Sequence, residues 1–263
     1  GELSHPLLFD PQLEIISKIQ TDEIAGTIKD FFFIPKSSLL ILISRSHGPI
    51  IWDIIVNKPL MRFDPPPSIV ESADFNHFTN EIVACSNLDR SCILNWNLYT
   101  GSISHIFKQE RQGAKQIKYS PSGIFLGFNY SNGILEILNG FNYHSFIIID
   151  NVKSIQDFCF TKDGRFIISI DSTGLVKKWD LNACHRNLSQ KYHVIYKSPD
   201  FGILLQYIDS EGWLFIGYSN GIVDLVDVES GVLLKKIEIG QSPIQFLHYE
   251  EETKDLYFAE TNG

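Results

Sequence analysis

The sequence lacks several features that mark membrane, nucleic-acid-binding and secreted proteins. No stretch approaches 18 consecutive apolar residues, so we predict no membrane-spanning helix. The 263 residues carry a net charge of −9 and no basic run longer than two residues. A surface that neutralises phosphates needs clustered lysine and arginine, so we expect no direct binding of nucleic acid. The first residues lack a basic region followed by an apolar run, so we expect no signal peptide.

Residues for metal binding and catalysis are also sparse. The four cysteines form no CxxC pair, and they are typical of reduced, buried thiols in an intracellular protein of the nucleus or cytoplasm. The eight histidines form no HExxH motif, and the chain has no phosphate-binding glycine loop and no GxSxG motif. We therefore assign no catalytic residue, no metal and no cofactor, and we expect that the protein is not an enzyme.

What the sequence does contain is a repeated hairpin, clearest in residues 165–182. A strand at Arg165–Ile170 and a turn at 171–174 lead into a second strand that ends in Trp179-Asp180. Related hairpins recur at intervals of 41–47 residues. One column of the repeat opens the second strand of the hairpin, at Gly48, Ser91, Gly133, Gly174, Gly221 and Gly263. A second column follows four or five positions later, at Trp52, Trp96, Leu138, Trp179 and Val226.

A period of 40–45 residues with four short strands per unit is typical of propeller blades. We predict an all-β fold: a single β-propeller domain, 1–263, of six four-stranded blades. The blades are predicted near 27–63, 69–108, 115–150, 154–196, 202–239, and 244–263 plus 5–19. Because open sheet edges invite uncontrolled pairing, we expect Leu7–Phe9 to pair antiparallel with Leu256–Ala259 and close the ring. The alternative is an open or seven-bladed propeller whose blade is missing or supplied by a partner.

These features resemble the WD40 repeat family, and the resemblance covers nearly the whole chain. It is carried by Trp52-Asp53, Trp96-Asn97, Trp179-Asp180 and Val226-Asp227. The family usually has a Gly-His pair in the connector before the first strand of a blade, where the histidine bonds to a turn aspartate that ties to serine and tryptophan. This sequence has no such pair, and the resemblance implies that only blade four keeps a reduced network. Its members are Ser169, Asp171 and Trp179.

The resemblance implies a non-enzymatic protein-interaction scaffold, a subunit of a multiprotein complex that binds a partner peptide or subunit on one propeller face. A reader of modified peptides or of phosphoinositide head groups is the alternative, although the chain has no Arg-Arg pair. Connectors between blades and turns between second and third strands should form the binding face. The large aromatics in these turns, Tyr130, Tyr218 and Phe201, are expected to be exposed and to contact the partner. The alternative is that they are partly buried and cover the mouth of the channel. The predicted partner-binding residues are Arg45, His47, Pro66, Asp89, Arg90, Arg111, Tyr130, Asn132, Phe201, Tyr218 and Asn220.

Overall fold

The computed structural model describes residues 7–9, 15–18, 28–34, 37–87, 90–151, 153–188, 191–251 and 253–260. These residues form 24 β-strands and one short helix. The first ten strands along the chain are β1 (Leu7–Phe9), β2 (Ile15–Lys18), β3 (Ile28–Phe33), β4 (Leu39–Ser44), β5 (Ile50–Asp53), β6 (Lys58–Arg62), β7 (Val70–Asn76), β8 (Glu81–Asn87), β9 (Ser91–Asn97) and β10 (Ile103–Lys108).

The remaining elements follow in the same order along the chain. They are β11 (Ala114–Tyr119), β12 (Phe125–Tyr130), β13 (Ile134–Asn139), β14 (Ser145–Asp150), β15 (Ile155–Phe160), β16 (Phe166–Asp171), β17 (Leu175–Asp180), α1 (Leu181–His185), β18 (Tyr192–Lys197), β19 (Gly202–Ile208), β20 (Trp213–Tyr218), β21 (Ile222–Asp227), β22 (Leu233–Glu238), β23 (Ile244–Glu250) and β24 (Asp255–Glu260). No helix in this part of the chain is long and apolar enough to cross a membrane.

Five sheets each contain four antiparallel strands in chain order, as blades of a propeller do. Sheet 1 is β3–β6, sheet 2 is β7–β10, sheet 3 is β11–β14, sheet 4 is β15–β18 and sheet 5 is β19–β22. Short turns connect neighbouring strands within each sheet, except that α1 lies between β17 and β18. The prediction of all-β, four-stranded repeats is therefore confirmed for five blades.

The predicted sixth blade is wrong. β1 pairs with β2 and β23 pairs with β24, so the ends of the described chain form two two-stranded sheets and no closed sheet. Each pair is a hairpin that satisfies backbone hydrogen bonds with a partner close in sequence, such as Leu7 with Lys18. Closure would need strands from opposite ends of the chain to meet, and such non-local pairing costs far more loop entropy than a hairpin.

The chain groups into two compact units. We call Glu2–Ile117 the N-terminal unit and Lys118–Gly263 the C-terminal unit, and the boundary falls inside β11. Sheets 1 and 2 belong to the N-terminal unit, and sheets 4 and 5 and the β23–β24 hairpin belong to the C-terminal unit. The single domain over 1–263 stays a prediction.

Within each unit, a side chain on the first strand of one sheet binds the backbone of the first strand of the next sheet. In the C-terminal unit, Asp157 accepts a 2.8 Å hydrogen bond from the Leu205 amide, and Gln206 accepts one of 2.8 Å from the Tyr249 amide. In the N-terminal unit, the Ser72 hydroxyl accepts a 3.3 Å bond from the Ile117 amide. First strands therefore lie side by side, and the sheets of each unit fan out from them as propeller blades do.

The second strands of the sheets are buried on both faces. In β4 the run from Leu40 to Ile43 is buried, and in β12 the run from Leu126 to Tyr130 is buried. A strand that is buried on both faces is apolar without alternation, and β4 accordingly carries the apolar run LLILI. The apolar clusters between sheets form the core.

The four cysteines are free thiols, as expected. Burial raises the pKa of Cys159 to about 12 and raises that of Cys85 further above its ordinary value. Both thiols therefore stay protonated near neutral pH, and a protonated thiol is a poor nucleophile.

Candidate protein-interaction surfaces

One side chain fixes the backbone that follows the third strand in each of the five sheets, a turn in four of them and the first turn of α1 in sheet 4. It is the last residue of the third strand, directly after the tryptophan column. Asp53 accepts hydrogen bonds from the amides of Ile55 (2.9 Å) and Val56 (3.2 Å). An aspartate or asparagine can fix the backbone of the following turn in this way. The equivalent residues are Asp53, Asn97, Asn139, Asp180 and Asp227.

The residue two positions further on is the tip of this turn, and three of the five tips are large apolar side chains exposed to solvent. Ile55 is 81% exposed, Tyr99 is 74% exposed and Phe141 is 58% exposed. The tips of sheets 4 and 5 are polar instead, Asn182 and Glu229. We call these five residues the turn tips.

The N-terminal unit carries further exposed apolar residues at the end of its sheets where the turn tips lie. Phe78 is exposed in the first turn of sheet 2, and Val56 is exposed next to the tip of sheet 1. The Asn80 side chain donates a 3.0 Å hydrogen bond to the Tyr99 hydroxyl, so the first and third turns of sheet 2 are tied together. We call Ile55, Val56, Phe78 and Tyr99 the apolar turn set.

Most residues of the predicted partner-binding face lie in turns or connectors, as expected. Arg45 and His47 are exposed in the turn between β4 and β5, and Arg45 lies 3.7 Å from the Glu71 carboxylate. Phe201 is about half exposed in the connector before β19. The other exposed or half-buried residues of this face are Pro66, Arg90, Arg111, Asn132 and Asn220. Asp89 lies outside the described residues, and the role of this face in binding stays a prediction.

Two residues predicted on that face are buried, so the expectation that they are exposed is wrong. Tyr130 and Tyr218 are each 0% exposed at the ends of β12 and β20. Tyr130 donates a 3.1 Å hydrogen bond to Glu136, and Tyr218 donates one of 2.8 Å to Asp224. Each acid lies six residues downstream of its tyrosine, and this repeated spacing was the sequence signal that we missed.

Burial has chemical consequences for the second of these pairs. Tyr196 also donates to Asp224, over 3.1 Å, from the outer strand of sheet 4. Burial, and then the nearby Asp224 charge, raise the pKa of Tyr196 to about 12, and burial raises the pKa of Tyr218 further. These groups therefore join sheets 4 and 5 as neutral donors and are not available to a partner.

The polar network expected in sheet 4 is present in part. The Trp179 indole donates a 2.9 Å hydrogen bond to the Ser169 hydroxyl, and the Asp171 carboxylate accepts one of 2.9 Å from the Thr173 amide. Asn151, in the connector before β15, donates over 3.5 Å to Asp171. An asparagine therefore contacts the turn aspartate from the connector in which the resemblance would place a histidine.

A groove of about 480 Å³ lies in the C-terminal unit, between sheet 4 and the turn from β21 to β22. The groove forms because β17 alternates on the face turned toward sheet 5: Val176 is buried, whereas Lys178 and Asp180 lie where the sheets separate. The lining residues are Arg165, Phe166, Lys178, Asp180, His193, Val194, Ile195, Val228, Glu229, Ser230 and Gly231.

Two ion pairs and one ring organise the groove. Arg165 lies 3.2 Å from Asp180, and Lys178 lies 2.7 Å from Glu229. The Arg165 and Lys178 cations each stand 4.7 Å from the centre of the Phe166 ring, within reach of cation–π attraction. Gly231 lets two backbones approach in the groove: its φ is +68°, and a Cβ there would lie 2.3 Å from the Ile195 carbonyl oxygen.

Comparison with family models and with curated proteins gives no match to this sequence. In the described part of the chain, no group of three or more His, Cys, Asp or Glu side chains is placed to hold a metal ion. What the structure offers is a set of surfaces: the predicted connector face, the apolar turn set and the groove of the C-terminal unit.

Proposed function

We propose that the chain is a non-enzymatic protein-interaction scaffold, a WD40-like subunit of a multiprotein complex. The observation that carries the proposal is the exposure of three large apolar turn tips, Ile55, Tyr99 and Phe141. Propellers commonly serve as interaction scaffolds, which is consistent with this function. The proposal includes an intracellular location, in the nucleus or the cytoplasm.

The turn tips have the physical properties of binding anchors. Burying one large apolar side chain contributes about 1.5–3 kcal/mol. A side chain on a fixed turn also loses less conformational entropy on binding than one on a mobile loop. The Asn97 side chain fixes the Tyr99 turn through bonds of 2.9 and 3.1 Å, and Asn80 holds the Tyr99 hydroxyl. A partner that covers these residues gains apolar contact from groups already in position.

Quantitative affinity purification tests this function. The tagged chain is compared with a variant that carries Phe78→Ser and Tyr99→Ser, and with a matched control, Lys162→Ser, in the exposed first turn of sheet 4. We expect specific proteins to co-purify with the unchanged chain and the control. Their recovery should fall about tenfold or more with the double variant, since each of the two side chains is an exposed apolar anchor.

A second variant examines the connector face, with Arg45→Ser and Phe201→Ser together. Loss of the same proteins would extend the binding surface to that face, as the sequence predicts. The scaffold function would be contradicted if no protein were enriched over an untagged control. Equal recovery of the enriched proteins from every variant would contradict the assignment of these two surfaces as the binding sites. Circular dichroism of each variant shows that the fold is kept.

A further inference from the structure

Lys178 stands out when the five sheets are aligned on the tryptophan column. The residue before that column is Ile51, Asn95, Ile137, Lys178 or Leu225. Lys178 is the one charged residue among them, and the other four are buried. A lysine in a largely apolar position loses hydration, so it needs an anion nearby. The position therefore points to a role beyond packing.

The anion that Lys178 has in the structure comes from an exposed turn. The Lys178 side chain is 18% exposed, and its 2.7 Å partner Glu229 is 82% exposed. Glu229 is the turn tip of sheet 5, the position that is apolar in sheets 1, 2 and 3. A carboxylate so open to water exchanges readily with another anion, since an exposed ion pair gains little net energy.

The floor of the groove is cationic once Glu229 moves away. Arg165 keeps its ion pair with Asp180, whereas Lys178 loses the carboxylate that the structure places within ion-pair distance of it, so an incoming anion can take that place. The walls beside this charge are apolar, from Phe166, Val194 and Val228. This combination complements an acidic side chain that has apolar neighbours.

The groove also borders a strand edge that suits an extended peptide. β18 is the outermost strand of sheet 4, with β17 as its only neighbour in that sheet. An extended segment beside such an edge can use backbone hydrogen bonds, while pockets select its side chains. Val194 and Ile195 of this strand line the groove, so a segment beside the edge would reach the groove with its side chains.

We infer that this groove binds an extended, acidic segment of a partner protein, whose Asp or Glu carboxylate replaces Glu229 at Lys178. Glu229 is then an internal competitor that occupies the site when no partner is bound. This inference rests on the proposed scaffold function and adds the chemistry of one partner segment to it.

Titration of the isotope-labelled full chain, followed by NMR, tests the inference. The probe is the peptide acetyl-Gly-Val-Glu-Val-Gly-amide, compared with its glutamine counterpart and with inorganic phosphate. We expect the glutamate peptide to shift the amide signals of His193, Val194 and Ser230. Glu229→Gln should bind it about threefold more tightly, since the competing charge is removed, and Lys178→Met should bind it at least about tenfold more weakly.

Lys236→Met is the matched control, because Lys236 is an exposed lysine on β22. It should leave binding unchanged. Equal binding of the glutamine peptide, or full binding by Lys178→Met, would overturn the inference. Phosphate binding as tight as that of the glutamate peptide would also overturn it, because the site would then select an anion and not a segment of protein.

Affinity purification separates this inference from the scaffold function. If partners are lost with the Phe78→Ser and Tyr99→Ser variant but kept with Lys178→Met, the groove inference fails and the scaffold function stands. If the groove binds the glutamate peptide while no protein co-purifies with the chain, the scaffold function fails and the anion-binding groove stands.

Discussion

The two units build the same turn from the same device and place different side chains on it. In the N-terminal unit the tips Ile55 and Tyr99 are apolar and exposed, whereas in sheets 4 and 5 of the C-terminal unit the tips are Asn182 and Glu229. In both units an Asp or Asn accepts hydrogen bonds from the turn amides. These hydrogen bonds therefore fix the position of the tip residue, and the side chain of that residue determines which partner groups it can contact.

A similar contrast holds where first strands meet. Asp157 in the C-terminal unit is a buried carboxylate that binds the Lys118 ammonium at 2.5 Å and the Leu205 amide at 2.8 Å. Ser72 in the N-terminal unit makes the related contact with a neutral hydroxyl. At these positions the C-terminal unit thus uses charge, at Glu229 and Asp157, where the N-terminal unit uses the apolar Tyr99 and the neutral Ser72.

The largest expected effect sharpens this contrast. Asp157→Ala should lower the free energy of unfolding by about 3–5 kcal/mol, because it leaves a partly buried lysine and two amides without their acceptor. Ser72→Ala should cost only about 1 kcal/mol, as loss of one neutral hydrogen bond does. Urea denaturation measures both. If both substitutions lowered the free energy of unfolding equally, the charge of Asp157 would add no stability beyond that of a neutral hydrogen bond.

The next prediction tests whether the Asn that accepts hydrogen bonds from the turn amides stabilises both units equally. Asn97 lies in the N-terminal unit and Asn139 in the C-terminal unit, and each accepts two turn amides at 2.9–3.2 Å. Asn97→Ala and Asn139→Ala should each cost about 1–2 kcal/mol of unfolding free energy, since both leave the same amides without an acceptor. Urea denaturation again gives the values. A difference above about 1 kcal/mol would contradict equivalence, within the usual scatter of such measurements.

A pH titration tests the contribution of Asp171, which fixes the turn between β16 and β17 in sheet 4. Burial opposes ionisation of Asp171, but hydrogen bonds from Thr173 and Leu175 outweigh it and lower its pKa below the ordinary 3.8. The ionised group therefore stabilises the fold above about pH 4, and this contribution is lost as pH falls through the lowered pKa. Chemical denaturation of the unchanged chain and Asp171→Asn at several pH values should give a difference that shrinks below about pH 4. A difference that is constant with pH would refute the assignment.

The smallest expected effect concerns Lys178. Lys178→Met should leave the free energy of unfolding unchanged or raise it by up to about 1 kcal/mol, because methionine suits this largely apolar column and an ion pair with the exposed Glu229 adds little net stability. Ile137→Lys, at the same position of sheet 3, is the control and should destabilise the fold by several kcal/mol, about 3–5, since it introduces an unpaired charge. Strong destabilisation by Lys178→Met would mean that the lysine is needed for folding and not for binding.

Much of the candidate site was visible in the sequence, and its decisive parts were not. The turn tips follow the Asp or Asn that comes after the tryptophan column, so their positions could be read from Asp53 and Asn97. Tyr130 and Tyr218 stand just before the turns between second and third strands, yet they are buried. Tyr218 packs in the core between sheets 4 and 5, and Tyr130 contacts Phe128 and Glu136 of its own sheet. The Lys178 partner could not be predicted either, since Glu229 lies 51 residues away on the next sheet.

By itself, the sequence determined the local repeat: four short strands in each of five sheets, their turns and the residues that fix those turns. These features depend on hydrogen bonds and side-chain alternation within a few residues, so local sequence patterns predict them. Tertiary structure alone decided which turn residues are buried, which anion meets Lys178 and that the end strands form separate hairpins. Those outcomes depend on contacts between distant segments, whose energy belongs to the packed sheets and not to any local stretch of chain.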